Sequence, residues 1–570
     1  MKNRVTTSGA ISLRRSWVNR LEYPDVQSLC EQESSHLFHL HRDFSLILNL
    51  VLYHCFSQAM KICLRPQQTT NLATFGAFVA LLLFLSSRTP MTFDDAFNAN
   101  VALSLANGGS YATRYGDSIT PFNPYISTGS LFISPYSIIL RFFGPNHFGL
   151  QAYSLGVSLI FFSISVWFAR IGRMLPFLLI AFSVVFLVHG KTDLIDPTIV
   201  TNLSSPLFGL WFQFLGNMAG SWALVAATLA CAHGGSASNR RLGVIFGLSA
   251  FAVNAKMVHA LPLMVAAFML LLTSALRSWR QVLCAITGGG VGLRSDSWMA
   301  WLFLDAEQFL QYQNNAKAFF VKYQGLYSEL LLSPRWDLFL TVIKTIPARF
   351  GPAVEYVGLP LLVAAGLATA ISIGGSVNSE PTCSVRSIRR AQLAIVAAAC
   401  AVLLWWCGMP QAPSRFLTVV PPLLVSAVAV GLGGLLETRP SIHPQVTRAI
   451  FLVMLCFVGW TAVSYCRVSL RRSYALRLEQ QNVASMVKEL GGTDRRKRLC
   501  GEGWWYPHEI SFLTGSPDTI PCSRGGARVA VIPKHIYPSS VHSALIKPDC
   551  QLVYSGEFYD IADCGIVTTQ

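Results

Sequence analysis

Residues 71–109 read NLATFGAFVALLLFLSSRTPMTFDDAFNANVALSLANGG, and three features within them decide the fold. From Asn71 to Ser87 the chain is apolar and uncharged over the length that a membrane helix needs. Arg88-Thr89-Pro90 ends that run. Thr92-Phe93-Asp94-Asp95 then has the pattern of a helix N-cap with an acidic residue three positions on, and the helix it opens stops at Gly108-Gly109. Two adjacent carboxylates, Asp94 and Asp95, therefore stand in the first turn of a short helix just outside a membrane span.

The rest of the chain agrees with that class. Of its 570 residues 52% are hydrophobic and 13% charged, where soluble domains carry about a quarter charged. The formal charge of +16 reflects Lys and Arg in short cytoplasmic loops and not a nucleic-acid surface. Hydropathy predicts an α-helical polytopic membrane protein of about eleven spans: 71–87, 150–169, 174–188, 205–232, 242–254, 258–274, 281–304, 355–373, 391–408, 415–435 and 449–466. The fourth reads as a shorter helix after a re-entrant stretch.

Arg170/Arg173, Arg240/Arg241, Arg277/Arg280, Arg386/Arg389/Arg390 and Arg439/Arg448 fall in every second loop, which makes those loops cytoplasmic. The loops at 88–149, 189–204, 255–257, 305–354 and 409–414 are then external, as is the tail from 467. The organisation expected is an N-terminal segment 1–70, a transmembrane domain 71–466 and a small external α/β domain 467–570. The N-terminal run FSLILNLVLYHCF at 44–56 is short for a span and suits a cytoplasmic or interfacial helix. MKICLRPQQ at 60–68, directly before the first span, reads as an alternative translation start. The tail holds Cys500, Cys522, Cys550 and Cys564. In an external domain these suit one or two disulfides, with the three full pairings of four cysteines all open.

A carboxylate at the external membrane boundary can take a proton from an acceptor hydroxyl or amine as a lipid-borne donor bond breaks. The competing reading is that Asp94 and Asp95 only offset the positive end of a helix dipole. Several stretches weigh towards chemistry. FDDAFNANVALSLANGGSYATRYGD (93–117), with its Ala102-x-x-Leu105-x-x-Gly108-Gly109-x-Tyr111 pattern, is followed by NPYISTGSLFISPYSIILRFFGPNHFGLQAYS (123–154), then NAKMVHALP (254–262) and PSRFLTVVPPL (413–423). In this order, over roughly residues 70–470, the chain resembles the integral-membrane glycosyltransferases of the C fold class. It is most similar to the bacterial branch that includes protein O-mannosyltransferases and lipid A aminoarabinose transferase.

That resemblance implies transfer of a sugar from a polyprenyl-phosphate carrier to a glycan, lipid or protein acceptor. The reaction would sit at the external, periplasmic face of a bacterial inner membrane, among membrane lipids. Asp94 matches the first acidic residue of the family's pair, the catalytic base. Asp95 takes the second place, often Glu in relatives, and would orient the acceptor. No cofactor and no nucleotide-sugar donor is implied, although other members of the broader class use a divalent metal. Arg415 matches the family's late Arg and would hold donor phosphate; it equally suits a snorkelling interfacial anchor. Lys256 resembles the Lys of a short Thr-Lys motif, with Ala255 replacing the Thr. A lone external Lys breaks the positive-inside pattern, and it is the second donor-phosphate candidate.

Other ionisable groups are weighed more simply. Arg294 and Asp296 lie within the seventh span after Gly288-Gly289-Gly290, a depth at which charges face a cavity or each other. Two residues apart on a regular helix, they do not share a face. His259 is a further cavity candidate, or a satisfied helix-end histidine. Asp193 and Asp196 suit solvated loop positions more than an acceptor site. In the loop QYQNNAKAFFVKYQGLYSELLLSPRW (311–336), Tyr323 and Tyr327 fit either a surface helix over the site or an interfacial aromatic belt. Trp504, Trp505 and His508 suit the core of the external domain more than a sugar platform. Two readings of other classes also accommodate many spans with intramembrane charges: a lipid-linked sugar transporter, and a noncatalytic membrane scaffold. The external tail and the lack of a clear inverted repeat weigh against the transporter, and the intact acidic pair against the scaffold, for which the Lys256 environment leaves room.

Overall fold

The computed structural model describes residues 66–109, 111–115, 118–121, 128–169, 211–232, 238–273, 279–314, 336–374, 383–408, 414–438, 471–491, 498–501, 507–515, 518–522, 528–534 and 550–564. Met1–Ala73 and Thr74–Gln570 are separate units, and the first is described only in the opening turns of α1 (Pro66–Ser86). After α1 come α2 (Phe93–Ala106), the strands β1 (Ala112–Tyr115) and β2 (Ser118–Pro121), α3 (Ser130–Phe143) and α4 (His147–Ala169). The helical bundle continues with α5 (Asn217–Ala232), α6 (Asn239–Ala255), α7 (Ala260–Thr273) and α8 (Trp279–Phe303). It is completed by α9 (Trp336–Val357), α10 (Leu359–Gly374), α11 (Cys383–Gly408) and α12 (Val420–Thr438). The C-terminal part holds α13 (Arg471–Glu489), β3 (Arg498–Gly501), α14 (His508–Thr514), β4 (Asp518–Pro521), β5 (Arg528–Pro533), β6 (Cys550–Ser555) and β7 (Tyr559–Cys564).

Each span expected from hydropathy overlaps a described helix, the fourth only over Asn217–Ala232, except 174–188 and 449–466, which lie outside the described residues. Two described stretches of 23 residues, His147–Ala169 and Arg386–Gly408, are long and apolar enough to cross a membrane on those criteria alone. The second half of the loop expected at 305–354 is helical, as α9. α5 stands at the centre of the bundle, and all 16 of its residues are buried. Its sequence NMAGSWALVAATLACA is rich in Ala, Gly and Ser, and small side chains let neighbouring helices approach. Outward-facing Phe148, Ile160 and Trp167 of α4 and Phe268 of α7 are exposed, as apolar residues of a lipid-facing surface are.

The triple glycine of α8 does not break the helix, which runs unbroken from Trp279 to Phe303. Its work is close packing. A Cβ at Gly288 would run into the carbonyl oxygen of Phe246 in α6, and one at Gly292 into that of Ala250. Positions four apart share one helix face, so the two glycines form a smooth track for α6. Gly292→Ala is expected to destabilise the bundle by about 1–3 kcal/mol through overpacking. A lower thermal unfolding midpoint in detergent is the check; an unchanged midpoint contradicts it.

A second core lies outside the bundle. Phe132, Ile133, Tyr136 and Leu140 of α3 pack there with Ala99 and Leu103 of α2, Val483 and Val487 of α13, Ile510 and Phe512 of α14, and strands β3, β5 and β7. The sheet order is β2-β1-β4-β3-β5-β7-β6. β1 to β5 join through parallel pairings, while β1–β2, β5–β7 and β6–β7 are antiparallel. The tail therefore does not close its sheet alone: Arg114 and Tyr115 of β1, between α2 and α3, pair with Asp518 and Thr519. Of the three cysteine pairings, the structure has Cys500–Cys522 and Cys550–Cys564. The second joins residues directly opposite each other on β6 and β7.

Candidate active site

α2 begins with the capping box that its sequence announces. The Thr92 hydroxyl accepts from the Asp95 N–H at 3.3 Å, and the Asp95 carboxylate accepts from the Thr92 N–H at 3.1 Å. The other oxygen of Asp95 accepts from the Phe214 N–H at 2.7 Å. Asp95 is buried, and burial pushes its carboxyl up to about 7 against the lowering effect of these hydrogen bonds. Both its oxygens are thus engaged by backbone, and its part is to tie α2 to the segment before α5. Asp94, next to it, is half-buried and takes no part in the box. It lies beside His508 of α14, whose ring meets Phe93 and Phe97 edge-on at centroid distances of 4.8 and 5.2 Å. Burial pushes the His508 imidazole down to about 3, with the Asp94 charge acting the other way.

The segment Trp211–Asn217 is where distant motifs meet. The Asn98 amide of α2 donates to the Phe214 carbonyl at 3.0 Å and to the Thr128 hydroxyl at 3.1 Å; that hydroxyl donates to the Leu215 carbonyl at 2.8 Å. Gly216 has φ +67° and touches the end of α6, where an added Cβ would stand 2.8 Å from the Ala255 carbonyl oxygen and 3.0 Å from Thr128. That position needs glycine on both counts. The next residue in chain from Ala255 is Lys256, buried, with extended backbone between α6 and the short 3₁₀ turn Met257–His259. On the far side, the Asn217 amide donates to the Thr418 hydroxyl at 3.0 Å. Thr418 belongs to the 3₁₀ turn Ser414–Val419, which carries Arg415 in its backbone; the Arg415 side chain lies outside the described residues. Asp95 and the turn bearing Arg415 are therefore both fastened to one seven-residue stretch, against which the end of α6, one residue before Lys256, also packs.

The other candidates have structural partners. His259 is buried, with one ring nitrogen 3.1 Å from the Ser221 hydroxyl and the other 2.9 Å from the Lys256 carbonyl oxygen. Arg294 is exposed and Asp296 buried, so they occupy different faces of α8. Asp296 accepts the Ser130 N–H at 2.6 Å, and Asn254 accepts the Leu131 N–H at 2.7 Å. These two side chains cap α3, satisfying donors that a helix start leaves open. Asp193, Asp196, Tyr323, Tyr327, Trp504 and Trp505 lie outside the described residues. Among the described residues no three His, Cys, Asp or Glu side chains come together as metal ligands.

No protein-family model and no curated protein matches the sequence. Solved structures do. Over 86% of this chain and 97% of the other, the fold matches the crystal structure of ArnT from Cupriavidus metallidurans bound to undecaprenyl phosphate, at 12% identity and a TM-score of 0.51. The chain has the ArnT fold. The resemblance drawn from the acidic motif to C-class glycosyltransferases, and to the lipid A aminoarabinose transferase branch, thus holds for the fold. Two looser matches are the apo form of the same ArnT, at 15% identity and a TM-score of 0.43 over 86% and 97% of the two chains, and the Archaeoglobus fulgidus oligosaccharyltransferase complexed with Zn and sulfate. The latter gives 10% identity and a TM-score of 0.35 over 78% of this chain and 62% of that one.

Sequence reasoning passed over Trp211–Asn217, Asn98, Thr128 and Asn254. None carries a charge, and each acts through an amide, a hydroxyl or its backbone. The one available signal was position: Asn254 stands two residues before Lys256 in a motif already singled out.

Proposed function

We propose that this chain is a membrane glycosyltransferase that moves a sugar from a polyprenyl phosphate to a hydroxyl or amine acceptor at the external face. The observation that carries the reading is the convergence on Trp211–Asn217 of the acidic turn, the Lys256 break and the turn bearing Arg415. It is supported by a fold shared with a protein solved with undecaprenyl phosphate.

The chemistry follows from the residue types. Asp94 accepts the proton of the acceptor nucleophile. The nucleophile's electron pair forms the new bond at the anomeric carbon as the sugar–phosphate C–O bond breaks. That bond's electrons leave on the polyprenyl phosphate. Lys256 and Arg415 stabilise the resulting charge through charge-assisted hydrogen bonds. Attack opposite the leaving group inverts the anomeric centre.

The reading is tested by binding. Purified protein is expected to bind polyprenyl phosphate saturably, and Lys256→Ala to weaken that binding by roughly 10–100-fold, the worth of one charge-assisted contact. Retention that does not saturate, or that ignores the substitution, counts against it.

A further inference from the structure

Met91, the residue before the N-cap of α2, is held by a side chain 389 positions away in sequence. Its N–H donates to Gln480 Oε1 at 3.1 Å, and Gln480 Nε2 donates back to its carbonyl oxygen at 2.9 Å. The same Oε1 lies 3.0 Å from His147 Nε2, and the same Nε2 donates to the Tyr559 hydroxyl at 3.3 Å. A primary amide has two donor hydrogens and two acceptor lone pairs, and here all four are used in a buried site. This also fixes which way the amide points and makes His147 Nε2 the donor. Three residues earlier on the same face of α13, Arg477 Nη1 reaches the Ser86 carbonyl at 2.7 Å, the Thr89 carbonyl at 3.0 Å and Gln151 Oε1 at 2.9 Å. The link between α1 and α2 is therefore gripped at both ends from the external domain.

We infer that Gln480, seconded by Arg477, is a positioning residue for transfer: α13 fixes the backbone from which Asp94 projects. The inference rests on Asp94 being the base. Three observations carry it. Met91 is buried, so its backbone groups have no water to fall back on and depend on the amide. The capping box fastens Thr92 and Asp95 to each other and to Phe214, but nothing in it sets where the box sits along the α1–α2 link. The same external domain grips α2 a second time, where the Asn100 amide donates to the His508 carbonyl at 3.1 Å, and Glu509 beside it accepts from the Tyr559 hydroxyl at 2.7 Å. Gln480, Tyr559 and α14 thus form one continuous brace behind the acidic turn. A displacement of about 1 Å at a reacting group costs on the order of 100-fold in rate.

The test uses the full-length protein with Gln480→Met, which keeps length and removes the amide, and Gln480→Glu, which keeps the acceptor oxygens. Gln480→Met is expected to lower kcat roughly 10–100-fold with donor KM held within about threefold, and Gln480→Glu to fall between it and the wild type. Combined with Asp94→Asn, Gln480→Met is expected to add little further loss, because residues that act through one group are not additive. Amide exchange at Met91–Asp95 is expected to quicken about tenfold or more, with β5 and β7 unchanged. Wild-type kcat in Gln480→Met, an equal loss in the Asp94→Asn background, or unaltered exchange at Met91–Asp95 overturns the inference. If the wild type itself transfers nothing, the functional reading fails separately. Exchange alone then decides the brace: quickening confined to Met91–Asp95 upholds it, and no change overturns it.

Discussion

Asp94→Asn is expected to reduce sugar transfer by roughly 10²–10⁴-fold, the usual contribution of a positioned general base, while the protein stays folded. The separation of the two effects follows from the geometry. Thr92 and Asp95 close the capping box and Asp95 holds Phe214, so the start of α2 stands without the Asp94 carboxylate. Asn has nearly the same shape, and position 94 is half-exposed, where the swap of one oxygen for an amide costs little. Activity and thermal unfolding measured on the same preparation check the claim. A thermal midpoint near that of the wild type with transfer lost is the expected pair. Transfer within about threefold of the wild type removes Asp94 from the base role.

Asp95→Ala is expected to do the opposite kind of damage. It leaves the buried N–H of Phe214 and the half-buried N–H of Thr92 unmet, at about 1–3 kcal/mol each. The total, about 2–6 kcal/mol, is a large share of a typical folding free energy. Transfer falls as well, because Phe214 loses one of the contacts that hold it and the residues after it. Asp95→Asn is milder: one amide oxygen can still serve Phe214, while the NH₂ meets the Thr92 N–H head-on. The pH dependence has a definite sign. Burial raises Asp95 to about 7 from the ordinary 3.8. Between those values the folded protein holds a proton that the unfolded chain has released, so this residue's contribution to stability declines as pH rises. The unfolding midpoint of the wild type, referred to that of Asp95→Asn, is therefore expected to drop from pH 4 to pH 7 and to level off above. A difference that climbs over that range contradicts it.

The sequence displayed the local grammar of the site well. Thr92-x-x-Asp95 is a capping box in the structure because the side chains that close it are only three positions apart in the chain. Hydropathy located helices for the same reason: the membrane-facing pattern is local. Gly288 was visible in the triple glycine, but its packing role was not, because a glycine that bends a helix and one that lets a neighbour approach look alike until the neighbour, α6, is in place. Asp296 was legible as an oddity only. That it caps α3 depends on Ser130, 166 residues earlier. The same limit hid the hub at Trp211–Asn217 and the pairing of β1 with β4. Both are made largely of backbone, amide and hydroxyl contacts between stretches far apart in the chain, and few residues in them are unusual where they stand. A charge advertises its cost in an apolar sequence; an amide or a carbonyl does not.

The central claim is that the acidic turn serves transfer from a polyprenyl phosphate. Its most direct measurement gives purified full-length protein a panel of polyprenyl-phosphate sugars, with nucleotide sugars as the comparison and Asp94→Asn in parallel. The account predicts transfer from at least one lipid-linked donor with inversion at the anomeric carbon, none from the nucleotide sugars, and collapse of the rate in Asp94→Asn. Equal rates in the wild type and Asp94→Asn, or transfer from nucleotide sugars alone, would contradict it.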